Sequence, residues 1–204
     1  MTSIASFVVA AAIAVGVALP TLATEEQATV APTPTVAEHQ STVIEQFPTR
    51  DPATRFRDDW RNRRSGGRRH QGTDIYADKG TPLVAVADGF VRSMHAGGKG
   101  GYMLRIAHAD GWETWYMHLD NDSPGSDDGS AGEKSAFAEG IEIGDFVEAG
   151  QIVAYVGDSG NAESGEPHLH FELHHRGRKT NPFPLLTTAW DRYLVALELG
   201  GSLQ

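Results

Sequence analysis

Between His70 and Leu173 the chain is written in short apolar runs cut by Gly and Asp, with no long helical period between them. Leu83–Ala87 ends at the turn pair Asp88-Gly89, and Phe90-Val91 resumes the next run. Tyr102–Ile106 precedes a second such pair, Asp110-Gly111, while Gln151–Val156 and His168–Leu173 repeat the form. Trp112 to Leu119 alternates, which predicts Trp112, Thr114, Tyr116 and His118 on one face and Glu113, Trp115, Met117 and Leu119 on the other. Strands at this spacing point to a mainly β fold with an antiparallel core. Only Ala189–Leu199 reads as helix, and there is no internal repeat.

The flanks have a different texture. Residues 1–23 carry an apolar stretch from Ile4 to Leu19, then Pro20 and Thr21-Leu22-Ala23, which fits a signal peptide cleaved after Ala23. The stretch is shorter than the roughly 20 residues of a membrane span. Its n-region lacks Lys and Arg, so an uncleaved anchor or a buried helix are the alternatives. Residues 24–50 mix Pro, Thr, Ala and Glu without an apolar period and read as a disordered linker. The β domain is then expected over 51–188, with a C-terminal helix and tail over 189–204. Asp120 to Glu148, rich in Asp, Glu, Gly and Ser, reads as a mobile surface insertion, a solvated acidic loop rather than a lip of a substrate groove.

Composition limits the chemistry. A formal net charge of −10 argues against a nucleic-acid partner, which requires a basic footprint. With no cysteine, thiol nucleophiles, thiolate metal sites and disulfides are all excluded, so any metal must be held by His and carboxylates.

Of the nine His, five look incidental: His39 in the linker, His95 and His108 beside turns, and His174 and His175 in a basic tail. The other four fall in patterns. His70-Gln-Gly-Thr-Asp74 sets an imidazole and a carboxylate four residues apart, able to converge on one ion if the chain turns. In His168-Leu169-His170, both imidazoles leave the same side of a strand while Leu169 and Phe171 face the core. His118 ends an alternating strand. A catalytic zinc takes three protein ligands and keeps one position open. His70, Asp74 and one of His168 and His170 supply such a set, leaving an imidazole beside the metal, plus His118, to move protons near neutral pH. Spacing leaves open which of the pair is the ligand.

The motifs together resemble those of the lysostaphin/LytM-type zinc endopeptidases, over roughly His70 to Pro182. The carriers are His-x-x-x-Asp at 70–74, Gly80-Thr81-Pro82 with Ala87-Asp88-Gly89, Tyr116-Met-His118-Leu119, Gly144-Asp145 with Gly150-Gln151, and Pro167-His-Leu-His-Phe171 closing on Asn181-Pro182. The resemblance implies an antiparallel β core crossed by a groove, one Zn2+ per chain held by His70, Asp74 and His170, and His118 with His168 as the catalytic pair. It further implies a secreted, monomeric endopeptidase acting on the peptides of peptidoglycan in the cell envelope. An uncleaved signal segment would tether it at the outer face of the cytoplasmic membrane. The acidic insertion after His118 is longer than the family's usual connection. A non-catalytic relative that activates a cell-wall amidase is the rival, but such relatives typically lack some ligands, whereas here every motif position is filled.

Overall fold

The computed structural model describes residues 43–200. The expected signal segment 1–23, residues 24–42 of the expected linker with His39, and the last four residues of the expected tail lie outside the described residues. Among the described residues no helix is long and apolar enough to cross a membrane.

The fold is mainly antiparallel β, as the alternation predicts. Its strands are β1 (Arg55–Phe56), β2 (Thr73–Tyr76), β3 (Pro82–Val84), β4 (Gly89–Ala96), β5 (Tyr102–Ala107), β6 (Trp112–Leu119), β7 (Phe146–Val147), β8 (Ile152–Tyr155), β9 (His168–His175) and β10 (Arg178–Thr180). The large sheet runs β1-β2-β9-β6-β5-β4-β7 with β10 added to β9, and β3 pairs with β8 in a second, two-stranded sheet. Among the described residues there are two α-helices, a single turn α1 (Glu133–Ala136) and α2 (Phe183–Glu198).

The two faces of the large sheet differ in kind. One face sends Ile75, Leu104, Ile106, Tyr116, Leu169, Phe171 and Leu173 into a core shared with Leu83, Val153, Ala154 and Val156 of the small sheet and Leu186 of α2. The Tyr116 hydroxyl fastens the layers, donating to the Val84 carbonyl at 3.0 Å and accepting from the Val86 amide at 3.1 Å. The other face carries His170, Glu172 and His174 from β9 beside Trp115 and Met117 from β6. Period-2 patterning thus separates an apolar face that stabilises from a polar face that is free for chemistry.

The structure differs from the sequence reading in several places. The linker reading fails from Val43 onward, because Ile44 and Phe47 are buried in the core and Thr49 bridges Leu83. Phe47 packs on Phe56 and Trp190, which ties this segment to α2. Helix α2 begins at Phe183 rather than Ala189: Pro184 sits in its first turn, where its missing N–H costs no intrahelical bond.

The acidic stretch is also more integrated than a mobile insertion. Ala136, Phe137 and Val147 are buried in the core, and Phe137 bridges Ala154 of β8. Two of its carboxylates are held by Lys79, whose ammonium lies 2.6 Å from Asp122 and 2.6 Å from Asp127, and also 2.9 Å from Asp158 beyond the stretch. Asp122, Asp127 and Glu163 converge closely enough to hold a metal ion, but that ammonium already supplies the compensating charge.

His108, His174 and His175 likewise depart from the solvated surroundings expected of them. His108 is half-buried, its Nδ1 2.8 Å from the Asp88 carbonyl oxygen and its Nε2 2.8 Å from Thr114 Oγ1. His174 and His175 continue β9 instead of starting a tail, stacked on Trp115 and Trp112 with ring centroids 4.2 Å apart in each pair.

Candidate metal centre and groove

Three central strands build the centre. In the ladder of β2 with β9, Asp74 stands directly opposite His170, and in that of β9 with β6, His170 stands opposite Met117. Directly opposed residues share a face, so Asp74 Oδ1 and His170 Nδ1 meet at 2.9 Å. His70 arrives from the loop before β2. Its turn is possible because position 72 is glycine: a Cβ there would stand 2.4 Å from the Phe171 carbonyl oxygen and 2.9 Å from His170 Nε2. His70 Nε2 then lies 3.0 Å from Asp74 Oδ1 and 2.9 Å from His170 Nδ1.

Each of these side chains has a partner behind it. The His70 Nδ1–H donates to the Asp59 carbonyl oxygen at 3.1 Å, with the Asp59 carboxylate at 3.0 Å. Arg64 donates to Asp74 Oδ2, and also to Asp59 Oδ2 at 3.2 Å, which leaves Asp74 Oδ1 to the imidazoles. His170 Nε2 donates to Glu172 Oε1 at 3.3 Å, and Glu172 in turn accepts from His174 at 2.7 Å and Lys179 at 2.9 Å. Such outer partners orient ligating side chains and raise their basicity.

Burial and charge act against each other here. Burial alone would drive the Asp74 carboxyl upward, but hydrogen bonds from His170 and His70 outweigh it and hold the group well below the usual carboxylate range. Burial likewise pulls His70 down, yet its bonds to Asp59 and Asp74, with their charge, push it up to about 9. His170 is raised against its burial by Asp74 and Glu172. The centre therefore favours positive charge, whether carried as protons on imidazole or as a cation.

His118 reaches the same region by a break in pattern. Tyr102 pairs with Leu119 and Leu104 with Tyr116, so Met103 of β5 stands opposite two residues of β6, Met117 and His118. This is a β-bulge, and His118 takes the left-handed φ of 60° within it. The alternation consequently fails at its end. Leu119, not His118, follows Tyr116 into the core, and His118 turns to the groove. A left-handed residue other than glycine costs of order 1–3 kcal/mol and clusters at functional sites.

The remaining pair of imidazoles has matching geometry. His118 Nδ1 lies 2.8 Å from the Ser159 carbonyl oxygen, and His168 Nδ1 2.8 Å from that of Glu166. A carbonyl only accepts, so each ring donates through Nδ1 and keeps Nε2 for other work. The rings are 5.1 Å apart, and His168 Nε2 is 3.9 Å from Asp74 Oδ1. Burial, aided by the neighbouring imidazoles, pushes His118 down to about 4 and keeps it neutral.

All five residues singled out in the sequence thus meet in one place: His70, Asp74 and His170 with donor atoms in mutual contact, and His118 and His168 beside them. Asp59, Arg64, Glu172 and Gly72 were not foreseen as parts of it. Strand alternation from His170 would have found Glu172, whereas Asp59 and Arg64 lie in a loop without a period. A groove of about 480 Å³ opens over the centre, floored by Met103, Trp115 and Met117.

Comparison with known proteins places the chain in a family. An L-Ala–D-Glu endopeptidase of Bacillus subtilis is 32% identical over 149 residues, 68% of this chain and 41% of that protein. The chain therefore spans about two-fifths of that relative's length. The catalytic domain of lysostaphin from Staphylococcus simulans superposes with a TM-score of 0.52 at 26% identity, covering 65% of this chain and 92% of the domain. A zinc-containing peptidase from Vibrio cholerae gives a TM-score of 0.54 at 27% identity, over 68% of this chain and 39% of that one. The model of peptidase family M23 matches residues 68–182, a span that takes in every residue of the centre except Asp59 and Arg64, and the chain belongs to that family.

Proposed function

We propose that the chain is a zinc endopeptidase acting outside the cytoplasm on the stem or cross-bridging peptides of peptidoglycan. In this reading His70, Asp74 and His170 hold one zinc ion, and His118 and His168 manage the protons. The observation that carries it is the convergence of His70 Nε2, Asp74 Oδ1 and His170 Nδ1, each within 3.0 Å of the other two. The donor set fits the metal: two imidazole nitrogens and one carboxylate oxygen, close enough together for one ion to reach all three at about 2.0–2.2 Å. The relatives support the substrate class, since they include an L-Ala–D-Glu endopeptidase and a glycyl-glycine endopeptidase.

When bound there, zinc would lower the pKa of a water molecule towards about 7 and polarise the scissile carbonyl. The protein's own residues do the rest. Asp59, Arg64 and Glu172 fix the orientation of the ligands. One of the imidazoles of His118 and His168 takes the proton of the attacking water at Nε2 and passes it to the leaving amine. The other can steady the negative charge that develops on the carbonyl oxygen only as imidazolium, with a second proton at Nε2 to donate. The completeness of this set argues against a non-catalytic activator.

The test is substitution of His170 or Asp74 by Ala, followed by zinc analysis and measurement of fragments released from purified sacculi. Both variants should lose zinc and cleavage together. Undiminished release by either one would overturn the assignment.

A further inference from the structure

Residues 61–70, Arg-Asn-Arg-Arg-Ser-Gly-Gly-Arg-Arg-His, fold back on themselves beside the centre. Arg61 N–H donates to the His70 carbonyl at 3.0 Å, His70 N–H to that of Asn62 at 2.8 Å, and Arg64 N–H to that of Arg68 at 3.0 Å. The result is a small antiparallel hairpin carrying five arginines and no carboxylate. Only Arg64 among them is paired with acidic side chains, those of Asp59 and Asp74. Arg63 bridges directly across to Arg69, and like charges opposed in this way destabilise a strand pair. The hairpin therefore lacks its counter-charge among the described residues.

It also faces the place where a substrate would lie. Arg64, Arg68 and Arg69 line the groove over the centre, with Lys99 and Lys179. Arg61 and Arg69 line an adjoining cavity of about 520 Å³ with Trp60 and Lys179. The two spaces share Arg69, His70, Gln71 and Lys179, so an occupant of the second is next to the first. Six of the chain's 17 Lys and Arg line these two spaces, against two carboxylates, Asp74 and Glu172. Both carboxylates are buried and already paired. For a chain of net charge −10 this concentration focuses a positive potential at one spot.

We propose that the cavity beside the centre is a carboxylate-binding subsite formed by Arg61 and Arg69, which makes the preferred substrate an anionic peptide with free carboxylates close to the scissile bond rather than an uncharged glycine bridge. The inference rests on the peptidase reading of the same site and names its substrate class. Guanidinium matches carboxylate through two parallel N–H donors, and Arg69 has only one of its own engaged, with the Arg61 carbonyl oxygen at 3.2 Å. The indole of Trp60 gives the cavity an apolar wall for the peptide's aliphatic portion. A phosphate-bearing wall polymer would meet the same charge, but the second cavity shares four lining residues with the groove over the metal centre, which suits a side group of the molecule being cut.

The test uses the zinc-loaded protein with three peptides: a wall stem peptide with free carboxylates, the same peptide with those carboxylates amidated, and pentaglycine. Binding is followed by tryptophan fluorescence and calorimetry, cleavage by mass spectrometry. The free-acid peptide should bind and be cut at least about tenfold better than the amidated one, and added salt should erode that ratio. Arg69→Gln and Arg61→Gln should each bring the ratio towards unity, and the exposed Arg61 side chain can be changed without touching the fold. Equal binding of the acid and amidated peptides, an unaltered ratio in both variants, or a phosphate polymer that displaces the acid peptide from this cavity would overturn the subsite. Carboxylate-dependent binding without any cleavage would leave the subsite standing and overturn the peptidase reading instead.

Discussion

Asp74 stands directly opposite His170 across the ladder of β2 with β9, and Oδ1 lies 2.9 Å from Nδ1. Two of the three ligating residues are therefore carried by paired strands, while His70 depends on a turn. The turn depends on Gly72. Replacing Gly72 by Ala would drive a methyl against the Phe171 carbonyl oxygen, 2.4 Å away, and against His170 Nε2. That variant should fold with a stability loss of about 1–3 kcal/mol. Its zinc affinity should fall at least about tenfold, judged by competition with a chromogenic chelator. Parental affinity would mean that His70 does not need this close approach.

Glu172 touches no substrate in this account and acts through His170. Its carboxyl is driven up by burial but held well below its ordinary range by bonds from His170, His174 and Lys179. Glu172→Gln preserves the shape but removes the charge that three donors share, so it should lower the stability of the protein and also lower zinc affinity about 10- to 100-fold. Equal zinc affinity in the two proteins would assign Glu172 to fold stability alone.

How much of this was legible beforehand follows the same division. The β class, the paired imidazoles of β9 and the association of His70 with Asp74 are written in short-range patterns, because side-chain alternation along a strand is a local property. His118 was legible as a residue but not in its orientation, since a bulge depends on the partner strand β5. The burial of Ile44 and Phe47 was hidden because their partners, among them Trp190, lie far along the chain. Arg64 and Asp59 were hidden for a related reason: an isolated ion pair in a loop has no period to betray it.

The division of labour between ligands and proton carriers gives a further expectation. His118→Ala and His168→Ala remove imidazoles whose Nδ1 atoms bond only to backbone carbonyls, outside the donor set of His70, Asp74 and His170. Each variant should keep its zinc and lose about 10²- to 10⁴-fold in cleavage rate, in contrast to His170→Ala, which loses both. Loss of zinc from the His118 variant would make that residue a ligand and reverse the roles.

A last expectation concerns acid stability and rests on a histidine remote from the centre. Burial, the dominant influence, lowers the His108 imidazole below 6.5 despite its bond to the Asp88 carbonyl oxygen. In the unfolded chain the ring returns to its ordinary value, so between the two pKa values the unfolded state binds the extra proton. The neutral ring's contribution is thus complete above about pH 6.5 and is lost as pH falls towards the folded-state value, with a slope of at most about 1.4 kcal/mol per pH unit. His108→Gln keeps a donor for Asp88 and an acceptor for Thr114 but does not titrate. Urea unfolding of both proteins with zinc saturating, from pH 7.5 down to 5.5, isolates this effect from the metal centre. The parent's advantage over the variant should shrink steadily as the solution is acidified. A constant difference across that range would show that the His108 ring is not being charged on unfolding.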